Sequence, residues 1–165
     1  MTIINLITEV QKYSSEISSF NPGVDIKKIS ELEQNLGYKL PNSFKNFLSK
    51  CNGFSIFGDQ IYGIHNDDKN IDLLSNYLFE KNEAKNPIFD YLLPITPDGF
   101  GNHYCLNLNT VTESGEECKV VFWQHDFEYD KTDLPDIDTE TFEMFFIEMM
   151  DNLKHEINYD GSEKF

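Results

Sequence analysis

Leu36-Gly37-Tyr38-Lys39-Leu40-Pro41-Asn42-Ser43-Phe44-Lys45-Asn46-Phe47-Leu48-Ser49-Lys50-Cys51-Asn52-Gly53-Phe54 is the stretch from which the fold is read. Gly37 stops one helix, and Pro41 suits the first turn of the next, where its missing N–H would have no intrahelical partner anyway. Phe44, Phe47, Leu48 and Cys51 then recur at helical spacing and turn inward until Gly53 ends the run. Working outward, Asp25 is an N-cap for the preceding helix, whose buried stripe reads Ile26, Ile29, Leu32 and Leu36. Ile3, Ile7, Val10 and Ile17 share one face of a still earlier helix that stops before Asn21-Pro22-Gly23. Three helices are expected first.

Beyond Phe54 the texture changes. Phe54 to Ile64 mixes aromatics, Ile and two glycines and reads as strand, turn or bulge, strand. A polar loop from His65 to Asn70 leads to a short helix from Ile71 to about Glu83. Tyr91-Leu92-Leu93-Pro94-Ile95 is a strand that Pro94 directs to an edge or an end. The turn Thr96 to Gly101 joins it to a strand in which His103, Cys105 and Asn107 share one face and Tyr104, Leu106 and Leu108 the other. Lys119 to Gln124 is a further strand. A last helix, capped by Asp138 or Thr139, turns Phe142, Phe145, Phe146, Met149 and Leu153 inward. Residues 1–165 therefore read as one α+β domain: a mainly antiparallel sheet with N-terminal helices and a C-terminal helix packed around it.

Charge narrows the function. Against 29 Asp and Glu stand 13 basic residues, every one a Lys, for a formal net charge of -16. Phosphate contacts need clustered Lys or Arg, so nucleic acid is not the expected ligand, whereas a basic protein would be attracted and steered in. Three widely spaced cysteines, Cys51, Cys105 and Cys118, make no disulfide framework and read as reduced thiols. The first residues lack a basic, then apolar, signal-peptide pattern, and no run of about 18 apolar residues occurs. A cytoplasmic protein that does not span a membrane is expected.

The motifs that could carry chemistry fall short. His65, His103, His125 and His155 contain no pair at zinc-helix spacing. Asp68-Lys69-Asn70-Ile71-Asp72 resembles a calcium loop, but Leu73 stands where Gly is needed and Phe79 where the twelfth-position Glu belongs. His103 and Cys105 share a strand face as base and nucleophile would, yet residues two apart in a strand are separated by roughly 6–7 Å, long for direct proton transfer. Asp98-Gly99-Phe100-Gly101 lacks full phosphate-loop spacing and reads as a hairpin turn. No catalytic residue, cofactor or metal is called for.

The order of these segments resembles the SUKH superfamily, the group of the cell-wall-assembly-regulator-like proteins and many bacterial toxin-immunity proteins. The resemblance lies in Ile29 to Phe54, with its Leu40-Pro41 step and Asn52-Gly53 end, in Leu93-Pro94-Ile95 through Asp98-Gly99-Phe100-Gly101 to Leu108, and in Val120 to Asp126 with Trp123. It covers roughly residues 25–150. Relatives often carry Asp where His103 or Asn107 stands here, and no role is carried onto those two. The resemblance implies a non-catalytic immunity protein that occludes the active site of a cognate toxin, often a nuclease. A regulatory scaffold of the cell-wall-assembly type ranks second, because such relatives carry long disordered flanks that these 165 residues lack.

For the contact surface the sequence offers residues 126–140, in which seven of fifteen residues are acidic and only Lys131 is basic. Charge runs are often mere solvated loops, and this one is expected to be a loop. Its aromatics give it a second reading: Phe127 and Tyr129 as anchors rimmed by Asp126, Glu128, Asp130, Asp133 and Asp136.

Overall fold

The computed structural model describes residues 1–165. Helix α1, Ile3–Val10, is closed at its start by a capping box in which Thr2 accepts from the Asn5 N–H and the Asn5 side chain reaches back. It does not continue to Ile17. Ser14 and Ser18 divert the backbone: Ser18 Oγ donates to Ser14 O at 2.9 Å, and the Ser14 N–H donates to Tyr159 O. The chain instead enters a strand, β1, Ser18–Pro22, so the three expected helices are present but this strand stands between the first and the second.

Helix α2, Ile26–Leu36, has the expected Asp25 cap, and Gly37 closes it at φ 75°. Ile29, Leu32 and Leu36 are buried, but Ile26 in the first turn is exposed. Helix α3, Asn42–Lys50, follows Pro41. Its first two N–H groups donate to Gly115 O and Glu116 O at 2.8 and 3.0 Å, so a distant loop supplies the acceptors a side-chain cap would have given.

The corner between α2 and α3 is held by a buried carboxylate. Glu33 accepts from the Leu40 N–H at 2.9 Å and pairs with Lys45 at 3.2 Å and Lys39 at 3.4 Å. Burial works against its charge, but the Leu40 N–H and the two ammonium groups outweigh it and hold the carboxyl below its usual value.

Strand β2, Cys51–Ile56, pairs with β1 and with β3, Asp59–Ile61, in an antiparallel sheet of order β1-β2-β3. The Asn52-Gly53 pair acquires a physical role here. Asn52 Nδ2 donates to Ile64 O at 2.9 Å and its Oδ1 accepts from the Ile64 N–H at 2.7 Å, extending the ladder by a side chain. The approach is close enough that a Cβ on Gly63 would lie 2.2 Å from Asn52 O, and one on Gly53 2.7 Å from Ile61 O.

Helix α4, Leu73–Asn82, is capped by Asp72, which accepts from the Ser75 N–H and hydroxyl and from the His65 N–H. The carboxylate that ends the calcium-like stretch is thus occupied as a cap. A second antiparallel sheet has order β4-β5-β6-β7, from β4, Leu92–Pro97, β5, His103–Asn107, β6, Val120–Trp123, and β7, Asp136–Thr139. Pro94 lies in an edge strand of that sheet, as expected. The two sheets meet through the Tyr62 N–H, which donates to Ile95 O at 2.8 Å.

Helix α5, Phe142–Glu156, closes the fold, capped by Thr141 and not by Asp138 or Thr139, because β7 extends through Thr139. Met150 takes the buried place expected of Met149, which lies at the margin of the stripe. The main core joins α1, α2, α3, β2 and α5 around Phe44, Phe47, Phe142 and Phe146, with Phe47 5.6 Å from Phe142 and 5.5 Å from Phe146 by ring centroids. Burial of each such ring contributes roughly 1.5–3 kcal/mol. On the other face of the second sheet a smaller cluster gathers Ile88, Leu92, Cys105, Val121 and Trp123. The alternation read in β5 holds: Cys105 faces the small cluster and Leu106 the main core. These five helices and two antiparallel sheets make an α+β fold.

Candidate functional site

The acidic run is only partly a loop. Its start is tied down: His125 N–H and Nδ1 both meet Asn102 Oδ1, at 3.1 and 2.8 Å, and Asn86 Nδ2 donates to His125 O. Asp126, Glu128 and Asp133 are exposed. Asp130 organises a tight turn, accepting at Oδ1 from the Thr132 N–H, the Thr132 hydroxyl and the Asp133 N–H. Those bonds, the Thr132 side chain's foremost, hold its carboxyl below the usual aspartate range.

The two aromatics differ from expectation. Tyr129 stacks at 4.6 Å on the buried Trp123, and its hydroxyl accepts from the Gln124 N–H, so it covers the small cluster and is not a free anchor. Phe127 lies 4.6 Å from Tyr129 and remains 38% exposed, which leaves it the one outward-facing aromatic of the pair.

From Asp136 the run becomes strand β7, paired with β6. An edge strand can be read as a loop because its exposed carboxylates hide the backbone pairing. The cross-strand row Tyr104, Phe122, Asp136 places Asp136 on the α5 face of the sheet. Val120 then pairs with Thr139 while Val121 pairs with Ile137, so Asp138 is the extra residue of a β-bulge, a device that re-aims a side chain.

Asp138 lines a groove of about 390 Å³ running between β3, the β4–β5 turn, β7 and α5. Asp59, Asp98 and Glu148 line it too, with Tyr104, Phe145 and Met149 as its apolar part, and no basic side chain contributes. Asp98 is engaged within its hairpin, accepting from the N–H groups of Phe100 and Asn102 and from Asn102 Nδ2. Asp59, Asp138 and Glu148 take part in none of the protein's ion pairs. Burial, with the charge of Glu156, pushes the Asp59 carboxyl up; burial, with the charge of Glu148, does the same to Asp138. Two hairpin tips beside the groove carry exposed phenylalanines: Phe57, at φ 52° and 61% exposed, precedes Gly58, and Phe100, 82% exposed, follows Gly99. Sequence gives no linear signal for this groove, since its acids come from positions 59, 98, 138 and 148.

The His103–Cys105 pair has no activated thiol. Cys105 is fully buried, burial pushes its thiol up, and its Sγ donates to His103 O. His103 Nε2 lies 3.2 Å from the Tyr62 hydroxyl, and its Nδ1 stands 3.7 Å from Glu80 Oε1. Burial pushes this imidazole down to about 4 and the Glu80 carboxyl up, so both are driven toward neutrality. Cys51, Cys105 and Cys118 are all free and buried. No helix is long and apolar enough to cross a membrane.

The family SUKH_6, described as SMI1-KNR4 cell-wall, matches residues 26–146, from the start of α2 into α5. The matched span holds the Glu33 and Asn52 clamps, the β7 bulge and the whole acidic run. The chain therefore belongs to the SMI1-KNR4 family of the SUKH superfamily.

Proposed function

We propose that this protein is a non-catalytic binding protein whose partner is a basic protein, and that it acts as an immunity protein occluding a toxin's active site. The observation that carries the reading is the charge: a net -16, with carboxylates concentrated along β7, its preceding loop and the adjoining groove, and almost unrelieved by lysine. Such a surface takes the place of nucleic-acid phosphates in a nuclease cleft, speeds association and rejects polyanions. Family membership supports the reading by analogy, since function belongs to sites and not to folds.

The test is copurification with the product of the neighbouring gene and rescue of cells expressing it. Charge reversal at Asp130, Asp133 and Asp136 is expected to weaken rescue and to flatten the salt dependence of binding. Unchanged protection and salt dependence would remove the loop from the interface. The cell-wall description of the matched family favours a second reading, a regulatory scaffold of the cell-wall-assembly type. A deletion that alters cell-wall integrity in the absence of any toxin gene would select it.

A further inference from the structure

The groove between β3, β7 and α5 is more than a place where acids accumulate. Three of its acids, Asp59, Asp138 and Glu148, are in no ion pair, and the chain also leaves a neutral acceptor there. Thr96 is 4% exposed, lines the groove, and its buried hydroxyl has no hydrogen-bond partner. Register fixes its direction: Thr96 pairs with Tyr104, so the two side chains share the α5 face on which the groove lies. The bulge at Ile95 sets this register in β4, as the bulge at Asp138 does in β7.

A buried hydroxyl without a partner costs free energy, and exposed carboxylates gathered around one groove with no cation among them repel one another. Both costs are relieved by one occupant, a cation carrying several N–H donors. A bare metal fits poorly, because no three His, Cys, Asp or Glu side chains come close enough to hold one. The acids stand on separate elements, which suits a planar guanidinium with five donors better than an ammonium point charge. At about 390 Å³ the groove falls in the lower range of ligand pockets, roughly 300–1,000 Å³, enough for a long side chain and some flanking backbone. Phe57 and Phe100, exposed at the hairpin tips beside it, supply the apolar contacts that a protein segment has and a small polyamine lacks.

We propose that this groove receives an arginine side chain from an exposed segment of the partner protein, held by Asp138, Glu148, Asp59 and Thr96 and flanked by Phe57 and Phe100. The proposal rests on the reading that the protein binds a basic partner, and not on that partner being a toxin.

The experiment is an NMR titration of the isotope-labelled full chain with acetyl-Gly-Arg-Gly-Arg-Gly amide, with its lysine and citrulline counterparts, and with spermidine. The arginine peptide is expected to shift the amides of Gly58, Thr96, Gly99 and Glu148, and to bind more tightly than the lysine peptide. Citrulline, which keeps the shape and loses the charge, should leave these amides in place. The double variant Asp138→Asn, Glu148→Gln should bind the arginine peptide about tenfold more weakly, the scale of two partly screened ion pairs. Glu16→Gln with Glu31→Gln, exposed and outside both the groove and the acidic loop, should bind it as the wild type does, and Asp130→Asn with Asp133→Asn serves as the loop variant; thermal melts confirm that each variant is folded. Shifts centred on residues 126–136, an unaffected double variant, or equal binding of lysine peptide or spermidine would overturn the assignment. If the groove variant still copurifies with the natural partner while the loop variant does not, the groove proposal falls and the binding function stands. If no partner copurifies with the wild type, the function reading falls, and the titration still decides the groove.

Discussion

Glu148 on α5 and Asp138 on the bulge of β7 line the same groove with no lysine paired to either, and the charge of Glu148 adds to burial in pushing the Asp138 carboxyl up. A carboxyl raised in the folded state takes up its proton before the unfolded chain does. Its ionisation therefore weakens the fold above its folded value, and the weakening disappears as pH falls through that value. Asp138→Asn is expected to raise the thermal midpoint of the free protein by about a degree near neutral pH, a small gain because the group is largely solvated. The gain should vanish in acid. A loss of stability at neutral pH would contradict this electrostatic account of the groove.

Glu33 behaves in the opposite sense. Its carboxyl is held low by the Leu40 N–H, Lys45 and Lys39, so it stabilises the fold above the ordinary glutamate value and ceases to as pH falls through the lower folded value. Glu33→Gln is expected to cost about 2 kcal/mol at neutral pH, the scale of hydrogen bonds to a buried charge. Urea melts of both proteins should converge at acid pH, where the wild-type carboxyl is protonated as well.

Asn52 and Gly63 form a clamp with no slack. Asn52→Ala leaves Ile64 N–H and C=O without their side-chain partners and is expected to cost about 2 kcal/mol. Gly63→Ala puts a methyl 2.2 Å from Asn52 O and should cost more, with the hairpin displaced. Chemical denaturation ranks the two; a tolerated Gly63→Ala would show that the backbones can separate.

His103 titrates at about 4 in the fold against 6.5 for a free imidazole, because of burial. Between those values the unfolded chain holds the proton, so folding stability is full above the upper value and falls by about 1.4 kcal/mol per pH unit below it. Glu80, shifted up by burial, opposes this by stabilising the fold as it takes a proton. His103→Asn removes the first effect and keeps the second. Its unfolding free energy should drop by about 2 kcal/mol less than the wild type's between about pH 7 and about pH 5. Equal drops would contradict the burial of a neutral imidazole.

Sequence carried the fold where local signals coincide with tertiary ones. The Asp25 cap, the Leu32 and Leu36 stripe, the Pro41 start and the Phe44–Phe47–Leu48 face need no information from distant residues. It failed at β1 and β7. Ser18–Pro22 has no two-residue alternation, and Asp136–Thr139 shows solvent three carboxyl or apolar side chains in a row before the buried Thr139. Both are held mainly by backbone pairing, which leaves little trace in hydropathy. Ile17 misled because an apolar residue at helical spacing also packs against the core from a turn. Of the acidic face, the sequence named Asp136 on the sheet's α5 side, but Asp59, Asp98 and Glu148 join it only through the register of β4 and the packing of α5. Tyr129 could not be told from an exposed anchor because its partner, Trp123, is a strand residue whose facing is set by β5.

The most direct test of the proposed basic partner is the association rate of this protein with the product of the neighbouring gene, measured by stopped flow across ionic strength. The account predicts a rate that falls about tenfold or more between low and physiological salt, and that falls less steeply once Asp133 and Asp136 are reversed. A rate indifferent to salt, or to those reversals and to the loss of Asp138 and Glu148 together, would contradict it.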